Sequence, residues 1–320
     1  MRRAISLLLK ASVSALLLYF ALGLVDLAAV RERLARTHPG WLTLILPVLL
    51  IQTGLLAVRW RKIVSHCGAS LPLALAFRFS MIAMFFNQTL PSSIGGDAMR
   101  VWLVRKHANW RTAIYSVFLD RLVGVVALAV LVLACLPWTL ELVRNPVGRV
   151  ALLLIGVGSL GAGIAFIGLA WKRLRILHRW SVTRHLAELA GVALAILRSP
   201  GSFVPVFSVS IAIHLLTATT AWCAAVAIGA DVPLLYTLFL VPPVILVTVV
   251  PISIAGWGVR EGAMVAAFGY AGLSQSDGLV VSLLFGASYL VVGAAGGLMW
   301  ITSPDRPKHG IDPIAGENAE

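Results

Sequence analysis

The feature that most restricts the fold of this chain is a series of apolar runs that are long enough to cross a lipid bilayer. A transmembrane helix needs about 20 predominantly apolar residues. Of the 320 residues here, 59% are hydrophobic and only 12% are charged. The runs are unbroken rather than alternating, which is not the pattern of a membrane β-barrel. We predict spans at about 5–25, 41–58, 112–137, 147–171, 203–228 and 277–302. The predicted fold class is an all-α polytopic membrane protein with about six transmembrane helices.

The formal net charge of +13 does not by itself indicate a nucleic-acid partner, because Lys and Arg accumulate on the cytoplasmic side of membrane proteins. No basic stretch lies in a soluble domain that could receive a strand, so we expect no nucleic-acid partner. Cys67, Cys135 and Cys223 are scattered and odd in number, which indicates neither a disulfide framework nor a metal site. We therefore expect no cofactor and no bound metal.

A ten-residue phrase occurs twice in the chain. Residues 91–100 are PSSIGGDAMR and residues 251–260 are PISIAGWGVR, with Pro, Ser, Ile, Gly and Arg at the same offsets. The copies lie 160 residues apart, and each follows an apolar segment, at 73–90 and at 234–250. The same context at an offset of half the chain predicts an internal repeat.

The distribution of basic residues predicts that both of these apolar segments are re-entrant hairpins. The stretch 172–198 carries six Lys and Arg residues and one Glu, so it is expected to be a cytoplasmic amphipathic segment on the lipid headgroups. This requires the first hairpin to enter and leave on the cytoplasmic side, where the basic run at 59–62 also lies. The second hairpin then dips in from the outside. Halves at about 41–137 and 203–302 form an inverted repeat in one transmembrane domain, with a polar cytoplasmic tail at 303–320.

Prolines and glycines account for the two breaks. A proline ends an entering helix because its ring removes a backbone donor, and glycine permits a tight reversal. Non-helical backbone is tolerated in a membrane only inside protein or beside a water-filled cavity. Paired interrupted segments are the sequence feature that best indicates the binding site of a transporter. The alternative is a pair of kinks packed within a large bundle. The predicted structural breaks are Pro91, Gly95, Gly96, Pro251, Gly256 and Gly258.

Ionisable and polar residues cluster in or beside the breaks, at a depth where charge is costly. Two interpretations stay open: structural ion pairs between three acids and three arginines, or contacts with a substrate. Both can hold, because a paired arginine can exchange its carboxylate for a phosphate. His214 is expected to be a hydrogen-bond partner in helix packing rather than a proton relay. The candidate substrate-binding residues are Asn87, Ser93, Asp97, Arg100, Asp120, Arg121, Ser253, Arg260 and Glu261.

Motifs of soluble and membrane enzymes are absent from the sequence. There is no Walker A lysine, no HExxH and no GxSxG, so ATP hydrolysis is not expected. An acid–base pair within the membrane, such as Asp97 with His214, has no support from spacing. We assign no catalytic residue and expect that the protein is not an enzyme.

Three motifs carry a resemblance to a known family. The segments FNQTLPSSIGGDAMRVWLV, SVFLDRLVGVVAL and PISIAGWGVREGA resemble the lysylphosphatidylglycerol synthase transmembrane-region family, also described as flippase-like domains, which is the membrane half of the multiple peptide resistance factor. The likeness covers nearly the whole chain. It implies lipid translocation. The family's aminoacyl-transferring domain has no counterpart in these 320 residues, so the identity of the lipid is not implied.

The resemblance also implies roles for particular residues. Asn87, Pro91, Gly95, Gly96, Asp97 and Arg100 correspond to the first family motif, Asp120 and Arg121 to its acidic-Arg pair, and Pro251, Gly256, Gly258, Arg260 and Glu261 to the third. Trp257 stands where many members have a smaller residue, which predicts a narrower cavity.

We therefore expect a lipid translocase of the bacterial inner membrane, with both termini in the cytoplasm. Its expected partners are membrane lipids with an anionic or aminoacylated phospholipid headgroup, and a homo-oligomer is possible. The alternative is a membrane-embedded enzyme or accessory subunit of a glycolipid or polyprenyl-phosphate pathway.

Overall fold

A computed structural model describes residues 2–89, 95–168, 181–250 and 253–306, with the side chains of 2–11 and 181–182 left aside. In this part of the chain the secondary structure consists of twelve helices and contains no strand. The helices are α1 Arg2–Gly23, α2 Leu27–Ala35, α3 Pro39–His66, α4 Leu73–Thr89, α5 Gly95–Val104, α6 Trp110–Leu142, α7 Pro146–Gly168, α8 Ser181–Arg198, α9 Pro200–Ala227, α10 Leu234–Thr248, α11 Val259–Tyr270 and α12 Gln275–Ile301.

Five helices are long and apolar enough to cross a membrane: α3, α6, α7, α9 and α12, which contain 23 to 33 residues. They coincide with five of the six predicted spans, so the protein is an all-α polytopic membrane protein. The remaining prediction, 5–25, falls on α1. The second half of α1 and the short helix α2 form one apolar pair bent by 93°, which becomes a sixth span only if both are counted together. Asp26 begins α2, because its Oδ1 accepts a hydrogen bond from the N–H of Ala28 at 2.8 Å.

The helices on either side of the two predicted breaks are short. α4 and α5 contain 17 and 10 residues, and α10 and α11 contain 15 and 12. Each is shorter than the roughly 20 residues that a bilayer requires. The predicted break residues Pro91 and Pro251 and the candidate site residue Ser93 lie outside the described residues.

The outer ends of α4 and α5 meet at one place. Arg78, near the start of α4, forms an ion pair with Asp305 just beyond α12. Lys106, which follows α5, donates to the backbone oxygen of the same Asp305 at 2.6 Å. The chain therefore enters α4 and leaves α5 at the same end of the molecule.

The outer ends of α10 and α11 are joined in a similar way. The Nη1 atom of Arg33 lies 3.3 Å from the carbonyl oxygen of Gly229, shortly before α10 begins. The Nε atom of Arg33 lies 2.8 Å from Oδ1 of Asp277, in the first turn of α12 directly after α11. One side chain on α2 thus holds the beginning of the second helix pair next to its end.

The contacts around Asp305 and the contacts around Arg33 lie at opposite ends of α3, because α3 and α9 run antiparallel. Gln52 bonds to Thr217 and Arg59 bonds to Ser210, each at 3.1 Å, so the residue number rises along one helix as it falls along the other. At the start of α3, the N–H of His38 donates to the carbonyl of Ala227 at 2.7 Å. At its other end, the carbonyl of Cys67 accepts from Thr112 Oγ1 at the start of α6.

The remaining contacts follow a matching pattern in the two parts of the chain. In the predicted repeat, α3, α4 and α6 correspond to α9, α10 and α12. α4 packs against α12, and its counterpart α10 packs against α6. In the same way α3 contacts α4, and α9 contacts α10. Trp138 of α6 and Phe239 of α10 stack with ring centroids 6.3 Å apart. On the other side, the backbone at Met81 of α4 approaches Gly296 of α12 so closely that a side chain at Gly296 would collide with it. Glycine is therefore required where these helices cross.

Two predicted segments are only partly described. Of the stretch 172–198, residues 181–198 form α8, which packs against α7 and α9, while 172–180 lie outside the described residues. Leu189, Ala193 and Ile196 of α8 belong to the same buried cluster as Ile63 of α3. Of the tail at 303–320, only Ser303–Arg306 are described, and they lie against α4.

Candidate functional site

A polar cavity of about 370 Å³ lies between the two halves of the chain. Helices α3, α4, α5 and α6 supply one wall, and α9, α10, the turn before α11, α11 and α12 supply the other. Its volume falls within the range of about 300–1,000 Å³ that is usual for small-molecule sites. The charged residues that line it are Arg59, Asp97, Arg100, Asp120, Arg121 and Arg260. The uncharged polar residues are Gln52, Thr53, Ser80, Asn87, Gln88, His214, Thr217, Thr248 and Tyr289.

Asp120 is the centre of the charge network in the first half. Its Oδ1 accepts from Nε of Arg59 and its Oδ2 accepts from Nη2 of Arg100, both at 2.8 Å. All three side chains are buried, with 1% of the Asp120 side chain, 5% of Arg59 and 4% of Arg100 exposed. Because each carboxylate oxygen has its own guanidinium partner, this deep carboxylate is neutralised by two cations.

A second carboxylate extends the network towards the open side of the cavity. Asp97, in the first turn of α5, accepts from Nε of Arg121 at 2.6 Å and lies 3.7 Å from Nη1 of Arg100. The Arg121 side chain is 51% exposed. The position of Asp97 is also favourable for the helix dipole, since a negative charge stabilises a helix N-terminus.

Gly96 allows the start of α5 to pack closely on α4. Its N–H donates to Oδ1 of Asn87 at 2.9 Å. A Cβ atom at Gly96 would lie 2.6 Å from that same oxygen and closer still to the carbonyl oxygen of Ala83. The Asn87 side chain therefore satisfies one free donor of the helix terminus, and no larger residue fits at this position.

The second half contains a separate buried ion pair. Nη2 of Arg260 lies 2.6 Å from Oε1 of Glu261, and Ser282 of α12 donates to the same oxygen at 3.0 Å. The other carboxylate oxygen of Glu261 accepts from the N–H of Gly258 at 2.6 Å. Glu261 is fully buried behind Arg260, so it neutralises the arginine without lining the cavity itself.

The arginines at the ends of the repeated phrase have similar surroundings. Arg100 lies over the ring of Trp60 with its Cζ 3.9 Å from the centroid. Arg260 lies over Trp257 at 4.8 Å. Each arginine is thus held between an aromatic face and a carboxylate, an arrangement that stabilises a guanidinium group away from water. Trp257 packs on Arg260 and is not among the residues that line the cavity.

The second break adopts backbone angles that favour glycine. Gly256 and Gly258 have φ values of +79° and +85°, and Ala255 between Ile254 and Gly256 has +50°. The N–H of Ile254 donates to Ser14 Oγ of α1 at 3.0 Å. This turn is therefore packed against α1 on one side while Ala255 and Gly256 face the cavity on the other.

The residues of the cavity wall that carry no charge are also hydrogen-bonded. Nε2 of Gln52 donates to Thr217 Oγ1 and to Tyr289 Oη, both at 3.1 Å. Nε2 of His214 lies 2.9 Å from the carbonyl oxygen of Gly124, as expected for a hydrogen-bond partner in helix packing. No bond joins His214 to Asp97, so the acid–base pair considered above does not form in this structure.

Residues 7–297 match the sequence model of the family described as Lysylphosphatidylglycerol synthase TM region. The chain belongs to this family. The match includes all the residues of the two breaks and of the cavity, and the resemblance found from the three motifs is confirmed. A search of curated proteins found no match.

Most of the candidate residues proposed from the family motifs come together in the structure. Asn87, Asp97, Arg100, Asp120, Arg121 and Arg260 line one cavity, and the break residue Gly256 does so too. Gly95 begins α5 and is buried. Ser253 is buried but is not part of the cavity wall, and Glu261 lies behind Arg260.

Arg59 was not identified as a site residue from the sequence. The run RWRK at 59–62 was expected to be a cytoplasmic exit, but Arg59 is buried and bound to Asp120. Arg59 lies seven residues after Gln52, which is two helical turns and places both on one face of α3. That spacing to a polar residue within a span could have identified it. Thr217 and Tyr289 were also missed, because neither carries a charge.

The site has the chemistry to bind an anion and offers no evident metal site. Within the described residues, no group of three or more His, Cys, Asp and Glu side chains could hold a metal ion. The arginines present planar donors that fit two oxygen atoms of a phosphate or carboxylate. The Nε of Arg100 is buried without a hydrogen-bond partner in the described structure.

Proposed function

We propose that this member of the family translocates a phospholipid with an anionic or aminoacylated headgroup between the leaflets of a membrane. The headgroup and phosphate pass through the polar cavity while the acyl chains stay in lipid. The observation that carries this proposal is the presence, on the wall of one cavity, of an arginine from each copy of the repeated phrase, Arg100 and Arg260.

Partner exchange gives these arginines a role in translocation. Both are neutralised in the free protein, which limits the cost of burying them. A lipid phosphate can replace the carboxylate on either guanidinium, since both anions accept the same paired donors. Arg100 makes one bond to Asp120 and has a buried unpartnered Nε. Arg100 lines the cavity, so a phosphate there can take the place of its hydrogen bond to Asp120.

The placement of the two helix pairs supports an alternating route. In the proposal, α4–α5 and α10–α11 are re-entrant hairpins that enter from opposite sides of the membrane, and the halves form an inverted repeat. The contacts of Arg78, Lys106 and Asp305 at one end and of Arg33 and Asp277 at the other are in accord with this. Inverted repeats with broken helices near the midplane are a frequent plan for transporters. The bacterial inner membrane, with cytoplasmic termini, fits the positive-inside rule.

Leaflet exchange in reconstituted vesicles tests the function. The purified chain is placed in vesicles that contain a fluorescent phosphatidylglycerol or its lysylated form, and an impermeant quencher reports the lipid in the outer leaflet. The native chain is expected to accelerate exchange over protein-free vesicles. Arg100→Gln and Arg121→Gln are expected to lower the rate at least about tenfold, because each removes a cation from the cavity wall.

Arg36→Gln is the matched control, since Arg36 is exposed and its ion pair with Glu32 lies on the surface of α2. Exchange by the native chain no faster than in protein-free vesicles, for both lipids, would contradict the proposal. Mass spectrometry of the recovered lipid addresses the alternative of an enzyme. An altered mass would indicate chemistry on the lipid, and an unchanged mass with a changed leaflet is expected for transport.

A further inference from the structure

A second cavity, which we call the basic groove, lies at the end of α3 where α3 meets α9. It has a volume of about 570 Å³ and is lined by α3, by the connection from α3 to α4 at 70–72, and by the first third of α9. Its charged wall consists of Arg59, Arg61 and Lys62, with Ser65 and Ser70 beside them. The opposite wall is apolar and contains Pro205, Val206 and Val209.

Arg59 belongs to both cavities. It lines the basic groove and also the central cavity that contains Arg100 and Arg260. Its Nε is bound to Asp120 at 2.8 Å and its Nη1 to Ser210 at 3.1 Å. Arg59 is therefore the one residue that the linings of the two cavities share, and an anion in the groove would meet its buried guanidinium.

Of the three cations that line the groove, only Arg59 is paired with an acidic side chain, that of Asp120. Arg61 and Lys62 are exposed, and within the described part of the chain neither forms an ion pair with an acidic side chain. No Asp or Glu lines the groove among the described residues. The central cavity differs, because Asp97 and Asp120 line it together with its arginines. An anion is thus attracted to the groove, whereas a headgroup with a net positive charge finds three cations and no carboxylate.

The groove also offers a surface for the apolar part of a ligand. Val206 and Val209 are one turn apart on α9 and face the cavity together with Val58 and Leu71. A wall of cations opposite a wall of aliphatic side chains matches an amphipathic molecule with a negative head and a hydrocarbon body. Inorganic phosphate would use only one of these walls.

We propose that the basic groove is the site where a net-anionic phospholipid, of the phosphatidylglycerol type, is loaded before its phosphate reaches Arg59 and the central cavity. This inference rests on the proposed function and narrows its substrate class, because it selects an anionic headgroup over an aminoacylated, cationic one. Arg61 and Lys62 attract the phosphate, and Arg59 transfers it by releasing Asp120.

Binding of short-chain lipids to the detergent-solubilised full chain tests the site. The probes are short-chain phosphatidylglycerol, its lysylated form and inorganic phosphate, and the native chain is compared with Arg61→Gln/Lys62→Gln. Each surface cation contributes about 1 kcal/mol towards an anionic lipid, so the double variant is expected to bind phosphatidylglycerol at least about tenfold more weakly. Both replaced side chains are exposed, so the fold is expected to be unchanged, which size-exclusion chromatography checks.

Arg184→Gln/Arg198→Gln is the matched control, because it removes the same charge from exposed positions on α8, at the same end of α3. The site is overturned if the groove variant binds phosphatidylglycerol as the native chain does, or if the control loses as much affinity. The lipid assignment is overturned if inorganic phosphate binds as tightly as phosphatidylglycerol. The selectivity is overturned if the lysylated lipid binds as tightly or more tightly.

Exchange assays separate this inference from the proposed function. With little phosphatidylglycerol in the vesicle, Arg61→Gln/Lys62→Gln is expected to be slow, and a high content is expected to restore its rate, whereas Arg100→Gln stays slow at both. Equal exchange by the native chain and the groove variant at every lipid content would contradict the groove alone. Groove binding without any exchange by the native chain would contradict the proposed function alone.

Discussion

At the scale of single residues, Asp120 determines whether two buried arginines are tolerated within the membrane-spanning part of the chain. Both of its oxygens are occupied at 2.8 Å, by Arg59 and by Arg100. The pairing has no exposed member, because none of the three side chains is more than 5% exposed. Such a group depends on all of its members, since the loss of one leaves the others as uncompensated buried charges.

Asp120→Asn is therefore expected to destabilise the protein by about 3–5 kcal/mol, the usual cost of breaking a buried ion pair by removing one partner. Thermal unfolding in detergent measures the effect. Arg121→Gln is the comparison, because the Arg121 side chain is 51% exposed and surface ion pairs contribute about 1 kcal/mol or less. Equal unfolding temperatures for Asp120→Asn and the native chain would contradict a structural role for this network.

Residue-level prediction from the sequence was good where a charge stood inside an apolar run, and poor elsewhere. Asp97, Arg100 and Asp120 were identified because a charge in a membrane requires an explanation. Arg59 was missed because it belongs to a run of basic residues at a helix end, and such runs are usually solvated. Its partner is 61 positions away in the chain, and no local pattern shows a contact of that kind.

At the scale of elements, the start of α11 depends on a backbone shape that only glycine adopts without strain. Gly258 has φ +85°, and a Cβ atom there would lie 2.7 Å from the carbonyl oxygen of Ser14. Its N–H also binds Glu261, the partner of Arg260. Gly258 therefore affects three features at once: the turn before α11, the packing of α1 against that turn, and the ion pair between Arg260 and Glu261.

Gly258→Ala is expected to destabilise the protein by about 2 kcal/mol or more, because a left-handed alanine is strained and its methyl group meets backbone of α1. Gly262→Ala is the control within the same helix, since nothing lies within 4 Å of a Cβ atom at Gly262. That change is expected to be neutral or slightly stabilising, because alanine favours helix over glycine. Thermal unfolding of both variants measures the difference, and similar effects would contradict the role given to Gly258.

The sequence predicted the elements more reliably than the contacts between them. The long spans were found to within a few residues, because the length of an apolar run is fixed by the thickness of the bilayer. The second break could be predicted because glycine permits backbone angles outside the helical region, and Gly256 and Gly258 adopt them. The end of α3 was placed eight residues too early, at 58 instead of His66, because its last two turns are basic. Charge marks where a helix leaves the membrane and does not end the helix itself.

At the scale of the whole molecule, the two ends of the helix bundle are packed differently. At the end where α3 begins, Arg33 of α2 binds both Asp277 and the carbonyl of Gly229. At the end where α3 finishes, the basic groove leaves an open space between α3 and α9. The end at which α3 begins is thus bridged by the Arg33 side chain, whereas the end at which it finishes has an open groove.

Cysteine labelling tests this arrangement as a whole, in a background without Cys67, Cys135 and Cys223. If α4–α5 and α10–α11 are re-entrant hairpins, the residues before and after each hairpin lie on one side of the membrane. Ser70→Cys and Arg105→Cys are then expected to react with an impermeant maleimide only from the cytoplasmic side, and Asp231→Cys and Gln275→Cys only from outside. All four native side chains are exposed, so reactivity reports the side of the membrane. Labelling of positions 70 and 105 from opposite sides would mean that α4–α5 crosses completely, and the inverted repeat would then be wrong.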